Sequence, residues 1–185
     1  MIAGMLGLAG MAYGEQLTVW QNGSAVARVI APEIPGPMSR IVPATLDCYL
    51  TRFYGWTLPT RPMADAPGSY VVIGNAQNNR VLAQLVSAGL ELGLSDLGDE
   101  GFRIFSHEDA GRRLLIIAAN TPQGIKHGCQ ELVFFRLAVT TQVAQVDWPI
   151  DVSMKPQFAY RAIYMLPCWS AHDSIDSWRR VLKFN

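Results

Sequence analysis

Apolar and polar positions change rhythm several times along the chain, and each change marks an element. Gln16 to Gln21 and Ala25 to Ile30 are β-prone runs flanking Asn22-Gly23, a dipeptide that favours a tight hairpin. A Pro- and Gly-rich turn follows, from Pro32 to Pro37. A helix is then predicted over about Ser39 to Tyr54, with Ile41, Ala44, Cys48 and Tyr49 on one side. Pro43 belongs in its first turn or at its true start, and Gly55 ends it. Ser69 to Gly74 is a short apolar run and reads as a buried strand. Asn75 is the expected cap of the next helix, where Val81, Leu82, Leu85 and Val86 recur at helical spacing up to about Leu92.

After a turn region from Gly93 to Gly98, Gly101 to His107 and Arg113 to Ala119 read as two strands. The polar turn Glu108-Asp109-Ala110-Gly111 joins them. Leu114 to Ala119 carries no polar side chain, so both of its faces must be covered. Thr121-Pro122 opens a further helix, a hydroxyl cap followed by proline at the first helical position. Its buried side is Ile125, Cys129, Leu132 and Val133. The stretch from Ala138 to Lys155 is variable in character and leads to a final strand.

The resulting order is ββαβαββα, a linker, then βα. It predicts an α/β (α+β layered) domain, a mixed sheet with helices packed on it. The expected core is Val71, Val72, Ile73, Ile104, Leu115, Ile116 and Ile117, flanked by the helices that hold Leu85 and Leu132. The closing strand, loop and helix of residues 156–185 have no second strand to pair with. They read as the opening unit of a (β/α)8 barrel, so the chain reads as the front end of a larger protein. Three segments follow: 1–14, 15–150 as an accessory domain, and 151–185 as linker and first barrel unit.

Composition narrows the function. Half of the residues are apolar, 16% are charged and the net charge is zero. No basic surface points to nucleic acid or to anionic lipid. Cys48, Cys129 and Cys168 lie far apart, without the spacing of a zinc or redox motif, and no metal or cofactor is expected. Residues 1–14, MIAGMLGLAGMAYG, are small and apolar but lack a basic start. They resemble the core of a signal peptide and are too short to span a bilayer, so a secreted or periplasmic location is expected.

Most candidate chemistry reduces to structure. His107-Glu108 is not HExxH, because Gly111 stands four residues after His107. Gly74 to Arg80 lacks the later glycines and the lysine of a phosphate loop and reads as a helix cap. Asp99-Glu100 reads as a solvated turn, because adjacent strand residues cannot face each other across about 5–10 Å as glycosidase carboxylates do. Ser170, His172 and Asp173 are too close for a triad, and Asp173 reads as the cap of the last helix. The loop from Pro167 to His172 is different. It follows a strand and precedes a helix, the edge where barrels carry their chemistry, and Trp169 and His172 there could stack on and hydrogen-bond a sugar.

Three ordered motifs carry a resemblance: Gly101-Phe102-Arg103-Ile104 before an apolar strand, then Gly124 to Leu132 (GIKHGCQEL), then Pro156 to Arg161 (PQFAYR). This order resembles the non-catalytic N-terminal domain that precedes the barrel in bacterial β-N-acetylhexosaminidases and α-glucuronidases. His127 stands where tyrosine is usual, Ala162 replaces a glycine, and Leu166 replaces an aspartate. The resemblance implies an accessory domain of an exported glycoside hydrolase, with its catalytic acids downstream and a carbohydrate substrate bound by that barrel. It implies that Arg161 contacts substrate hydroxyls, which makes Arg161, Trp169 and His172 the candidate substrate-binding residues. The alternative is a non-enzymatic carbohydrate-binding or structural module.

Overall fold

The computed structural model describes residues 15–33 and 38–157, with 38–45 described by their helical backbone. The segments 1–14 and 158–185 lie outside the described residues, and with them the signal-like stretch, the barrel unit, Arg161, Trp169 and His172.

The Asn-Gly hairpin forms as expected. Strands β1 (Gln16–Gln21) and β2 (Ser24–Ala25) pair antiparallel across Asn22 and Gly23. Both turn residues take positive φ, 49° and 82°, which matches the twist of the strands they join. The expected second strand is then divided. At Val26 the chain leaves this sheet, and β3 (Ala27–Ile30) pairs parallel with β4 (Gly68–Gly74).

Helix α1 (Met38–Tyr54) runs through Pro43 rather than starting at it. Gly55, at φ 76°, closes it, and its N–H bonds the Thr51 carbonyl. Cys48 is exposed, contrary to the expected apolar side, and Leu46 and Leu50 carry the buried stripe four residues apart.

Helix α2 (Arg80–Ser87) is capped by Asn79, not Asn75, and stops short of Leu92. The Asn79 Oδ1 accepts from the N–H groups of Val81 and Leu82, while its Nδ2 donates to the carbonyls of Ile30 and Ile73. One buried amide thereby joins β3, β4 and α2. Asn75 instead donates to the Ala119 carbonyl at 2.9 Å. Gly89 at φ 102° ends α2 through a 6→1 bond from Leu90 to Leu85, and Val86 is left exposed.

β5 (Phe102–Asp109) and β6 (Arg112–Ala119) form a hairpin across Ala110-Gly111, and Thr121 caps α3 (Pro122–Glu131). A π-helical turn, Leu132–Arg136, continues α3. The stretch read as leading to the final strand is itself structured: β7 (Leu137–Val139), β8 (Val143–Asp147) and β9 (Asp151–Met154). Buried and open positions alternate along β8, as a half-covered strand requires.

Two sheets result. One is antiparallel, ordered β2-β1-β8-β7, and the other is mixed, ordered β3-β4-β6-β5-β9. Val71, Ile73, Leu115, Ile117 and Ala119 turn one face of the mixed sheet towards α1, α3 and the antiparallel sheet. Tyr70, Val72, Leu114, Ile116 and Ala118 turn the other towards α2. All seven expected sheet-core residues are fully buried, and Leu85 and Leu132 pack over them.

Two residues of helix α3 meet their neighbours so closely that there is no room for a side chain. A Cβ on Gly128 would stand 2.5 Å from Cγ2 of Ile117, and one on Gly124 would stand 2.5 Å from the Gly101 carbonyl oxygen. On an open helix Gly→Ala stabilises by up to about 1 kcal/mol. Here overpacking reverses the sign, and Gly128→Ala should destabilise by roughly 1–3 kcal/mol in urea unfolding. A stabilised variant would show that α3 is free to move off the sheet.

Candidate functional site

Past β9 the described chain leaves along the wall of a cleft of about 250 Å³. His127, Gln130 and Glu131 line it from α3, at the three- and four-residue spacing that puts side chains on one helix face. Glu100, Lys155 and Pro156 form part of the facing wall.

Glu131 is the buried acid among the described residues, 8% exposed. Its Oε1 accepts from Nε and Nη2 of Arg136 at 2.8 and 2.7 Å. The π-helical turn explains the pair. Five-residue spacing, which misaligns side chains in an α-helix, brings them together where the helix widens.

His127 is held from both sides. Its Nδ1 lies 3.2 Å from the Glu100 carbonyl, an acceptor, so Nδ1 carries the proton and donates. Its Nε2 lies 3.0 Å from the Gln123 side-chain amide nitrogen, which donates to it. The ring is therefore neutral. Burial, and secondarily the charge of Lys126, lower its pKa below the ordinary histidine value. Gln130 donates to the Tyr49 hydroxyl at 2.7 Å and ties this face to α1.

The other ion-paired acids are scattered. Asp151 takes a two-pronged pairing from Arg103 at 2.9 and 2.8 Å, and that hydrogen bond holds its carboxyl below the usual range. Asp109 pairs with Arg112, and Glu15 and Glu108 flank Arg113. The Cys129 thiol is buried and pushed up to about 12, so it is no thiolate nucleophile. Among the described residues no group of three or more His, Cys, Asp and Glu could hold a metal. No helix among them is long and apolar enough to cross a membrane.

Of the residues singled out from sequence, His107-Glu108 lies on β5, Asp99-Glu100 lies in a turn, and Gly74 to Arg80 forms the turn that caps α2. Sequence reasoning missed the Glu131–Arg136 pair. Its one visible signal is Phe134-Phe135, two large apolar residues out of phase with the buried side of α3; both are exposed.

No protein-family profile matches the chain, and no curated protein matches it in sequence. Among solved structures, the Streptomyces plicatus N-acetyl-β-hexosaminidase in complex with thio-NAglucal superposes with a TM-score of 0.46 at 16% identity. That match covers 80% of this chain and 25% of the other. The Flavobacterium johnsoniae chitobiase gives a TM-score of 0.42 at 16% identity, over 80% of this chain and 20% of that one. The chain thus spans a quarter or less of these enzymes' length. Likeness at this level assigns no activity.

The lowered pKa of His127 has a stability consequence. The unfolded ring binds a proton near pH 6.5, while the folded ring resists it to lower pH. The stabilisation is complete above pH 6.5 and is lost as pH falls through the folded value. His127→Asn should therefore lose less stability than the parent between pH 7.5 and 5. Equal losses in urea melts at the two pH values would refute the neutral ring.

Proposed function

We propose that this chain is the N-terminal accessory domain of an exported glycoside hydrolase, hexosaminidase-like or α-glucuronidase-like, acting on a polysaccharide or glycan. One observation carries the reading. The first two ordered motifs fall on β5 and α3, on either side of apolar β6, and the glycines of the second stand where a Cβ would strike the sheet. The resemblance thus rests on positions with a packing reason to be glycine.

The domain is proposed to be non-catalytic by itself. Glycoside hydrolysis needs two carboxyl groups facing across a bond. The buried acid of the described residues, Glu131, is committed to Arg136, and Asp151, Asp109, Glu15 and Glu108 are paired elsewhere. Catalytic acids are assigned to a downstream barrel, with Arg161, Trp169 and His172 as sugar contacts near its first strand. Residues 1–14 are proposed to be removed on export, so N-terminal sequencing of protein from the native host should not begin at Met1.

Two measurements test this. Purified residues 1–185 should not hydrolyse aryl N-acetylglucosaminides or aryl glucuronides, whereas the full product of the native gene should hydrolyse one of them. Turnover by residues 1–185 that is lost in Glu131→Gln would overturn the reading, as would a full gene product without glycosidase activity. In the active protein, Arg161→Lys should cut kcat/KM with little change in Tm, because a guanidinium fork offers paired donors that an ammonium cannot. A large fall in Tm with unchanged kinetics would make Arg161 structural.

A further inference from the structure

We infer that a second cleft, walled by stacked aromatic rings, binds neutral pyranose sugars. It has a volume of about 760 Å³ and lies among the β1–β2 turn, the β7–β8 turn and the end of α1. That is within the range of about 300–1,000 Å³ common to small-molecule sites.

Its aromatic wall depends on a bulge. The β1–β8 register shifts between Thr18 and Trp20, so Trp20 stands opposite Ala144. Ala144 is fully buried on the inner side of the sheet, and Thr18, opposite Gln145, keeps to the outer side. Without the extra residue Trp20 would share the outer side with Thr18. With it, Trp20 meets Trp56 at a centroid distance of 5.5 Å and an interplanar angle of 13°. Tyr54 stacks on Trp56 at 5.8 Å and 20°. Gly55 ends α1 between Tyr54 and Trp56, and the Tyr54 hydroxyl donates to the Val133 carbonyl. These three half-buried rings are held from β1, the last residue of α1 and the segment just after it.

Among its described lining residues the rest of the cleft is uncharged, with Phe53 and Val139 apolar and the polar groups supplied by threonines and turn backbone. Thr140 and Thr141 stand at the β7–β8 turn, with Gly23 beside them on the other hairpin. The two hairpin tips are joined by the bond from Asn22 N–H to the Gln142 carbonyl, 2.8 Å. Among the described residues that line it, none is Asp, Glu, Lys, Arg or His.

That lining selects a ligand class. The face of an aromatic ring is negative and attracts weakly polarised C–H groups, which a pyranose presents together on one side. Its edge carries hydroxyls, for which threonine hydroxyls and turn backbone are partners. A nucleotide, a phosphosugar or a uronate would bring a charge that nothing here answers. The site goes beyond the accessory-domain reading, since it would bind sugar with or without a catalytic partner.

Calorimetric titration of the full chain with cellotetraose and chitotetraose tests the cleft. Saturable binding of at least one is expected, with a charged oligogalacturonate about tenfold weaker or worse. Trp56→Ala should weaken binding at least about tenfold, and Trp56→Phe, which keeps a ring and preserves the fold, at least about threefold. No saturable binding, unchanged affinity in Trp56→Phe, equal binding of the oligogalacturonate, or tighter binding of a proline-rich peptide would each overturn the inference. Failure here with glycosidase activity intact in the full gene product refutes the cleft alone. Binding without that activity refutes the accessory-domain reading alone.

Discussion

A strand that is apolar on both faces must be covered on both, and β6 imposes that condition on the whole domain. Leu114 to Ala119 are each fully buried. Helix α2 covers the side of Leu114 and Ile116, while α1, α3 and the antiparallel sheet cover that of Leu115 and Ile117. A strand in this position also needs partners along both edges, and it finds β4 parallel and β5 antiparallel. The three-layer arrangement follows from one run of six residues. The tight seat of α3 through Gly124 and Gly128 closes the thicker layer over it.

Where local chemistry decides, the sequence is legible. Asn22-Gly23 can turn a chain almost alone, Thr121-Pro122 can open a helix, and β4, β5 and β6 announce themselves by apolar density. Where distant partners decide, it is not. Strands β7 to β9 are three to five residues long; β8 gains its pairing from β1 and β9 from β5, more than forty positions away, and β7 pairs only once β8 is in place. Asn75 and Asn79 are equally suited to capping. Asn79 wins because its amide also reaches Ile30 and Ile73, which only the folded sheet brings near. Cys48 fits an apolar helical phase on paper, but the stripe that meets the sheet is that of Leu46 and Leu50.

The same division holds for the sites. The ordered motifs of β5 and α3 can be read directly because their reasons lie in one helix and one hairpin. The Glu131–Arg136 pair requires a widened helical turn, and Trp20 requires a bulge set by the register of β1 against β8. The first leaves only the out-of-phase Phe134-Phe135 as a local mark, and the second leaves none. Both departures from regular geometry re-aim side chains, a recurrent use of such irregularities.

The route of the backbone between the sheets has a mechanical meaning. From the small sheet, β2 runs through Val26 into β3, one edge of the mixed sheet, and β8 runs on into β9, its opposite edge. The small sheet is therefore a covalent brace slung from edge to edge of the larger one. Edge strands are ordinarily the first to fray, but here neither can peel away without pulling on the brace and, through it, on the other. The twist and breadth of the mixed sheet are clamped by chain connectivity, in addition to the packing of its faces.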